Sequence, residues 1–319
     1  MSGGLRYLGG RILAAAIAVL GALLLMFLLT QLVPGDPAST LLGPRASPET
    51  VEAFRVRMGL DRPVLVQFAN FLGYVLRGDL GTDIVSGRPI RTMVLEALPY
   101  TVTLALSAMG LALLLGIPLG CYGATHPESL GDRILAVLSV GVVAVPNFVV
   151  AILLLLIFAV GLDLLPVLGT GDEGGFGDRL ARLVLPASAL ALGWVGYIAR
   201  LLRASLVEVL GEAYIRTGRA RGIPEWIVVY KHALRNAILP TLAVVGLGIG
   251  HLLGGAVFIE IVFARPGIGH LIFDAIGTRN YPVVEGCVLA VVLLFVLANL
   301  AVDLLFLWLD PRLRGEAAK

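Results

Sequence analysis

An all-α, polytopic membrane protein with six transmembrane helices is the fold class that the sequence predicts, and three observations predict it. Hydrophobic residues make up 58% of the 319 residues and charged ones 14%, whereas soluble globular chains run near half apolar and about a quarter charged. The apolar residues gather into six long runs, each able to cross about 30 Å of hydrocarbon at about 1.5 Å per residue. Lys and Arg fall in alternate connections, 13 in segments assigned to the inside and four in the two short outside loops, as the positive-inside rule requires. The long 34–99 connection holds the other seven and is exempt at more than about 60 residues. Both termini are therefore expected in the cytoplasm.

The first run, within a segment 1–33, follows Arg6 and Arg11. It is longer than the roughly 7–15-residue core of a secretory signal, and Gln31-Leu32-Val33-Pro34 is no small-residue cleavage site, so an uncleaved first helix is expected. Residues 34–99 carry seven acidic and seven basic side chains, too many to enter lipid, and form an external helical segment. There Pro34-Gly35-Asp36-Pro37 reads as a turn. Ser47-Pro48-Glu49 caps a helix that Gly59 ends. Asp61-Arg62-Pro63 opens another with Leu65, Phe68, Leu72, Val75 and Leu76 on one face, closed by Gly78-Asp79-Leu80-Gly81.

Five further spans are expected at 100–122, 134–161, 183–202, 238–263 and 283–309, in a core 100–310 followed by a tail 311–319. Gly116-Ile117-Pro118 and Ala144-Val145-Pro146-Asn147 are expected to kink the second and third. Gly246, Gly248, Gly250, Gly254 and Gly255 line the fifth, where small residues let helices approach closely. Ionisable groups at bilayer depth are costly and so are candidates for function. His251, Glu260 and Asp303 qualify, with buried hydrogen bonds or interface pairs as the alternative role. His251 and Glu260 lie about 180° apart on a regular helix and cannot both face one pore.

The connection 204–237 is the most charged part of the second half. Arg200, Arg203, Arg216, Arg219, Arg221, Lys231 and Arg235 surround Glu208, Glu212 and Glu225. One helix is expected from Ala204 to Arg221, supported by a Glu212–Arg216 pair at i, i+4, stopped by Gly222 and restarted at Pro224-Glu225. Charge alone fits equally a surface gripped by a partner protein and an ordinary positive-inside loop.

Chemistry is expected elsewhere than in this chain. It has no His-Glu-x-x-His, no Gly-x-Ser-x-Gly and no Gly-x4-Gly-Lys-Ser/Thr, the usual signatures of zinc hydrolysis, serine nucleophiles and ATP binding. Cys121 and Cys287 are expected near opposite membrane faces as small apolar fillers. The basic residues cluster against the membrane rather than in a nucleic-acid footprint.

Tyr214-x-Arg216-Thr217-x-Arg219-Ala220-Arg221-Gly222, with His232-Ala233-Leu234-Arg235-Asn236-Ala237 and Leu239-Pro240, resembles the coupling loop of ABC importer permeases, and within them the branch serving dipeptides, oligopeptides and nickel. That superfamily's Glu-Ala-Ala-x3-Gly pattern docks into an ATPase groove. Here Arg216-Thr217-Gly218 stands in place of the acidic triplet, and Gly218 departs from the expected small residue, often alanine. Glu260-Ile261-Val262-Phe263-x-x-Pro266-Gly267-Ile268-Gly269 resembles the family's motif at the outer mouth, and Asp303 with Asp310-Pro311-Arg312 its closing motif.

The resemblance implies a type I ABC importer permease fold in a bacterial or archaeal plasma membrane. It implies as partners a second, similar permease, two ATPase subunits that carry ATP and Mg, and an extracytoplasmic solute-binding protein landing on the 34–99 side. Coupling would involve Glu212, Tyr214, Arg216, Thr217, Arg219, Arg221 and Gly222. The path or outer gate would involve Asn147, His251, Glu260, Pro266, Gly267 and Gly269. Peptide, nickel and glutathione remain open as solutes, and an ion-coupled secondary transporter is the competing class.

Overall fold

The computed structural model describes residues 2–32, 47–58, 61–172 and 174–309. Among the described residues every regular element is helical, apart from an isolated bridge between Thr82 and Pro89. The expected turn at Pro34-Gly35-Asp36-Pro37, the helix stop at Gly59 and the Asp310-Pro311-Arg312 motif lie outside the described residues, as does the side chain of Asp303.

The first span, α1 (Ser2–Leu32), is followed by α2 (Pro48–Met58) and α3 (Val64–Leu76). Ser47 caps α2 through its Oγ, which accepts from the Thr50 amide at 3.2 Å, because a hydroxyl there satisfies an otherwise orphaned helix N–H. On α3, Phe68, Leu72 and Val75 pack with Leu23 and Met26 of α1 and with Leu289 of the last helix. Leu65 and Leu76, expected on that buried face, are instead 81% and 79% exposed. The stripe is narrower because α3 rests on its neighbours by one side only. Gly78 and Gly81 then reverse the chain at φ 74° and 79°, with Asp79 Oδ1 accepting from the Gly81 amide at 3.0 Å.

The next helix, α4 (Ile90–Thr125), begins well before residue 100 and runs for 36 residues. It is followed by α5 (Leu130–Ala144) and α6 (Asn147–Leu154), the latter continued by a π-helical stretch over Leu155–Gly161. The sequence suggests one kinked helix over 134–161; the structure breaks it, with a bend of 105° between the two halves. Pro146 supplies no N–H and drives the preceding residue out of helical geometry, and Val145 is extended at φ −91°, ψ 127°. Among the described residues, five helices are long and apolar enough to cross a membrane, and the bent pair makes a sixth if it counts as one span.

Residues Phe176–Leu210 form α7, which packs along α4. Small residues set the spacing of that pair: a Cβ on Gly120 would sit 2.8 Å from the carbonyl oxygen of Ala199. The expected continuous helix over 204–221 breaks at Gly211-Glu212. There α7 ends and α8 (Ala213–Ala220) begins, since Glu212 is extended at φ −68°, ψ 151°. Glu212 thus precedes the first turn, its carbonyl accepting from the Arg216 amide at 3.2 Å, and the two side chains form no ion pair. Gly222 stops the segment at φ 76°, and Pro224 leads into α9 (Glu225–Ile227), a π-helical stretch Val228–Ala233, α10 (Leu234–Ala237) and α11 (Leu239–Val262). A helix absent from the sequence reading, α12 (Ile268–Gly277), precedes α13 (Tyr281–Leu309).

The main core lies between α4, α7 and α11, where Leu104, Ala108, Leu190, Ile198, Leu252 and Ile259 are fully buried. Two smaller clusters close its ends. One holds Cys121, Leu202, Ile215, Val228 and Ala237; the other holds Ile90, Val94, Ile268, Val283 and Cys287. The α8 region and the α12 region therefore sit at opposite ends of α4.

Candidate functional site

At the α8 end, one apolar anchor fixes a polar surface. Ile215 is 1% exposed and drops into the cluster of Leu202, Val228 and Ala237, so the remaining residues of α8 face outward. Tyr214 is 45% exposed yet is held from behind, its hydroxyl accepting from Asn236 Nδ2 at 2.9 Å. Arg216, Thr217, Arg219 and Arg221 are exposed. Arg219 grips Glu225 across the Gly222 turn, with Nη2 2.6 Å from Oε1. That contact holds the Glu225 carboxyl below its ordinary value. Tyr214, Thr217, Gly218, Arg221 and His232 line a hollow of about 320 Å³ beside this surface.

The same end carries a pair that was not legible in the sequence. Arg203 of α7 meets Asp132 of α5 in a fork, Nε to Oδ1 and Nη2 to Oδ2 both 2.6 Å. Asp132 also accepts from the Glu128 amide at 3.1 Å. The two residues are far apart in the chain, and only helix packing brings them together.

At the opposite end, Glu260 is fully buried near the end of α11. Its Oε1 accepts from Thr101 Oγ1 of α4 at 2.6 Å, and its Oε2 accepts from the amides of Gly269 at 2.8 Å and His270 at 3.2 Å. Thr101 Oγ1 in turn accepts from the Ile268 amide at 2.8 Å. The first amides of α12 are thus capped from two other helices, with a carboxylate at the positive end of the helix dipole. A Cβ on Gly267 would overlap the Glu260 carboxyl, and one on Gly269 would overlap the Val257 backbone. This explains the glycines after Pro266: the clasp closes only where no side chain intervenes.

The third group lies along the middle of the spans. His251 is exposed on α11, away from the buried Glu260, as the nine-residue separation requires. Its ring centroid is 6.2 Å from that of Trp194, which stands edge-on to Tyr197 at 5.4 Å. Asn147, at the start of α6, reaches between α7 and α11, its Nδ2 3.3 Å from where a Cβ on Gly255 would sit. Trp194 and Tyr197 lay outside the sequence candidates because aromatic residues in a span read as packing. Among the described residues, Cys121 and Cys287 are buried and unpaired with each other, and no group of three or more metal-ligating side chains forms.

Comparison with known proteins gives two family matches that together span nearly the whole chain. Residues 116–315 match the family described as binding-protein-dependent transport system inner membrane component, and residues 4–105 match its N-terminal counterpart. The chain is 39% identical to a probable D,D-dipeptide transport system permease protein of Escherichia coli K12, over 93% of this chain and 94% of that one. It is 38% identical to a glutathione transport system permease protein of Salmonella choleraesuis, over 97% and 99%. A probable peptide ABC transporter permease protein of Sinorhizobium fredii is 37% identical over 95% and 98%.

Proposed function

As this chain belongs to the binding-protein-dependent transport system inner membrane component family, it is a permease subunit of an ABC importer, and we propose that it carries peptides or peptide-like solutes and is driven through α8. The observation that carries the proposal is the build of α8: a short helix anchored by Ile215, presenting Tyr214 and three guanidinium groups outward, and bolted to the following helix by Arg219–Glu225. A surface held this rigidly can pass force from a partner into the bundle. The partners in this reading are two ATPase subunits bearing ATP and Mg, a second similar permease and an extracytoplasmic binding protein. Both termini lie in the cytoplasm, on the α8 side.

Peptide-like solutes are favoured because the relatives described above are named for D,D-dipeptide, glutathione and peptide transport. Nothing in the family or these relatives points to an ion-coupled carrier. In the mechanism, ATP-driven closure of the ATPases pulls α8, and Arg203–Asp132 together with the cluster around Ile215 transmits the pull to α5 and α7. The clasp at Glu260 makes α4, α11 and α12 move as one body at the outer mouth, so Pro266, Gly267 and Gly269 serve as its fittings. His251, Trp194 and Asn147 line the face toward the path or the second permease, since an exposed imidazole at mid-span is costly against lipid.

Gly222 supplies the test. Its φ of 76° lies in the left-handed region, and no atom lies within 4 Å of where a Cβ would stand. Gly222→Trp therefore adds backbone strain of about 1–2 kcal/mol and places bulk where an ATPase must sit, without disturbing this chain's packing. In proteoliposomes containing the whole assembly, uptake should be lost while the variant is still found in the membrane. Uptake at the wild-type rate would refute the docking role of α8.

A further inference from the structure

The loop after α11 buries a guanidinium with two nitrogens that no described residue bonds. Arg265 is only 4% exposed, and among the described residues its Nε and Nη1 have no hydrogen-bond partner. A guanidinium offers five N–H donors, and leaving buried donors unmet is costly. The neighbouring carboxylates are already committed. Glu260 spends its oxygens on Thr101 and the α12 amides. Asp172 Oδ2 accepts from the Tyr100 hydroxyl at 2.7 Å and the Thr170 hydroxyl at 2.5 Å, while Oδ1 faces Arg179 Nε at 3.7 Å. The Thr170 and Tyr100 hydroxyls hold the Asp172 carboxyl below its ordinary value, so it stays ionised and bound to these partners.

Arg265 also lines a cavity of about 330 Å³ together with Tyr100, Thr103, Thr170, Asp172 and Arg179. The cavity lies beside the Glu260 clasp, at the outer end of α4. It is large enough for a few heavy groups and too small for a folded domain. Its walls combine a neutral Arg179–Asp172 pair with a guanidinium whose Nε and Nη1 no described residue bonds, the feature that suits a planar carboxylate.

We propose that this cavity is an entry subsite for the carboxylate of the incoming solute, with Arg265 as its ligand and Tyr100 and Thr103 beside it. The proposal rests on the importer reading and deepens it by giving the solute's acidic end a place in this chain. A carboxylate arriving there meets a guanidinium whose Nε and Nη1 are bonded by no described residue, and the Asp172 carboxylate keeps the site from retaining it tightly.

Two measurements on the complete assembly test it. The first is saturation-transfer NMR with alanyl-alanine and its C-terminal amide, in the absence of binding protein and ATP. Wild type should bind the free acid at least about 10-fold more tightly than the amide, about 1.4 kcal/mol. Arg265→Gln should bind both alike, and Arg265→Lys should restore part of the preference. Equal binding of acid and amide by wild type, or an undiminished preference in Arg265→Gln, overturns the subsite. The second is uptake of the dipeptide with saturating binding protein, read beside ATP hydrolysis stimulated by that protein. Arg265→Gln should slow uptake at least about 10-fold with stimulated hydrolysis unchanged. Loss of both together, with Arg265→Lys no better, would assign Arg265 to docking of the binding protein and overturn the proposal. Wild type that takes up no peptide would fail the peptide reading, while the NMR result still decides the subsite.

Discussion

Glu260 shows how much one side chain can be asked to hold. Its two oxygens serve a hydroxyl on α4 and two amides of α12, and hydrogen bonds to a charged group contribute more than neutral ones. Glu260→Ala should leave three donors unmet, two of them buried, and lower stability by about 2 kcal/mol or more, at about 1–3 kcal/mol for each buried donor. Glu260→Gln keeps one acceptor oxygen and should cost roughly half as much. Thermal unfolding of the detergent-solubilised assembly measures both, and an alanine variant melting with wild type would remove the clasp from the account. In the sequence Glu260 stood out as a costly charge in an apolar run and as the head of the motif that runs to Gly269. The residues that complete its role, Thr101 and the amides beyond Pro266, are remote in the chain or belong to the backbone, so their part was not legible there. His251 was legible in position, and its exposure follows from the same helical periodicity that buries Glu260.

At the scale of elements, α4 and α7 meet through glycine. Gly120→Val should force the Ala199 backbone aside, since the added carbon would lie 2.8 Å from its carbonyl oxygen, and overpacking of this kind costs about 1–3 kcal/mol. Gly110→Val, on the same helix with nothing within 4 Å of its Cβ position, is the control. The yield of folded assembly should fall for the first and hold for the second; equal yields would mean that the pair tolerates a wider spacing. Helix positions were readable from apolar runs, but their limits were not. The start of α4 at Ile90 was masked by Arg91 and Glu96, polar residues that belong to its outer turns. The breaks at Val145-Pro146 and Gly211-Glu212 were present as residues, yet periodicity cannot tell a kink from a 105° bend. The short α12 escaped because it lies in a connection and owes its first turn to a cap supplied by other helices.

For the whole molecule, the orientation is the reading with the widest consequence. Cys121 and Cys287 are buried, so a membrane-impermeant maleimide applied to cells should leave the native chain unlabelled. With both replaced by alanine, a cysteine at Thr170 should label in intact cells, and one at Thr217 only after the membrane is opened. The reverse pattern would turn the protein over and detach α8 from any cytoplasmic ATPase. The two ends of the molecule are joined by continuous struts, α4 among them: it carries Thr101 near one end and Cys121 near the other, roughly 30 Å apart at about 1.5 Å per residue. A lever without a joint transmits tilt with no slack, so the mouth beside Thr101 cannot lag behind the floor beside Cys121 unless the strut itself flexes. Of its two interior prolines only Pro118 lies between those residues, and any halfway posture in which one door has swung and the other has not is most readily absorbed there.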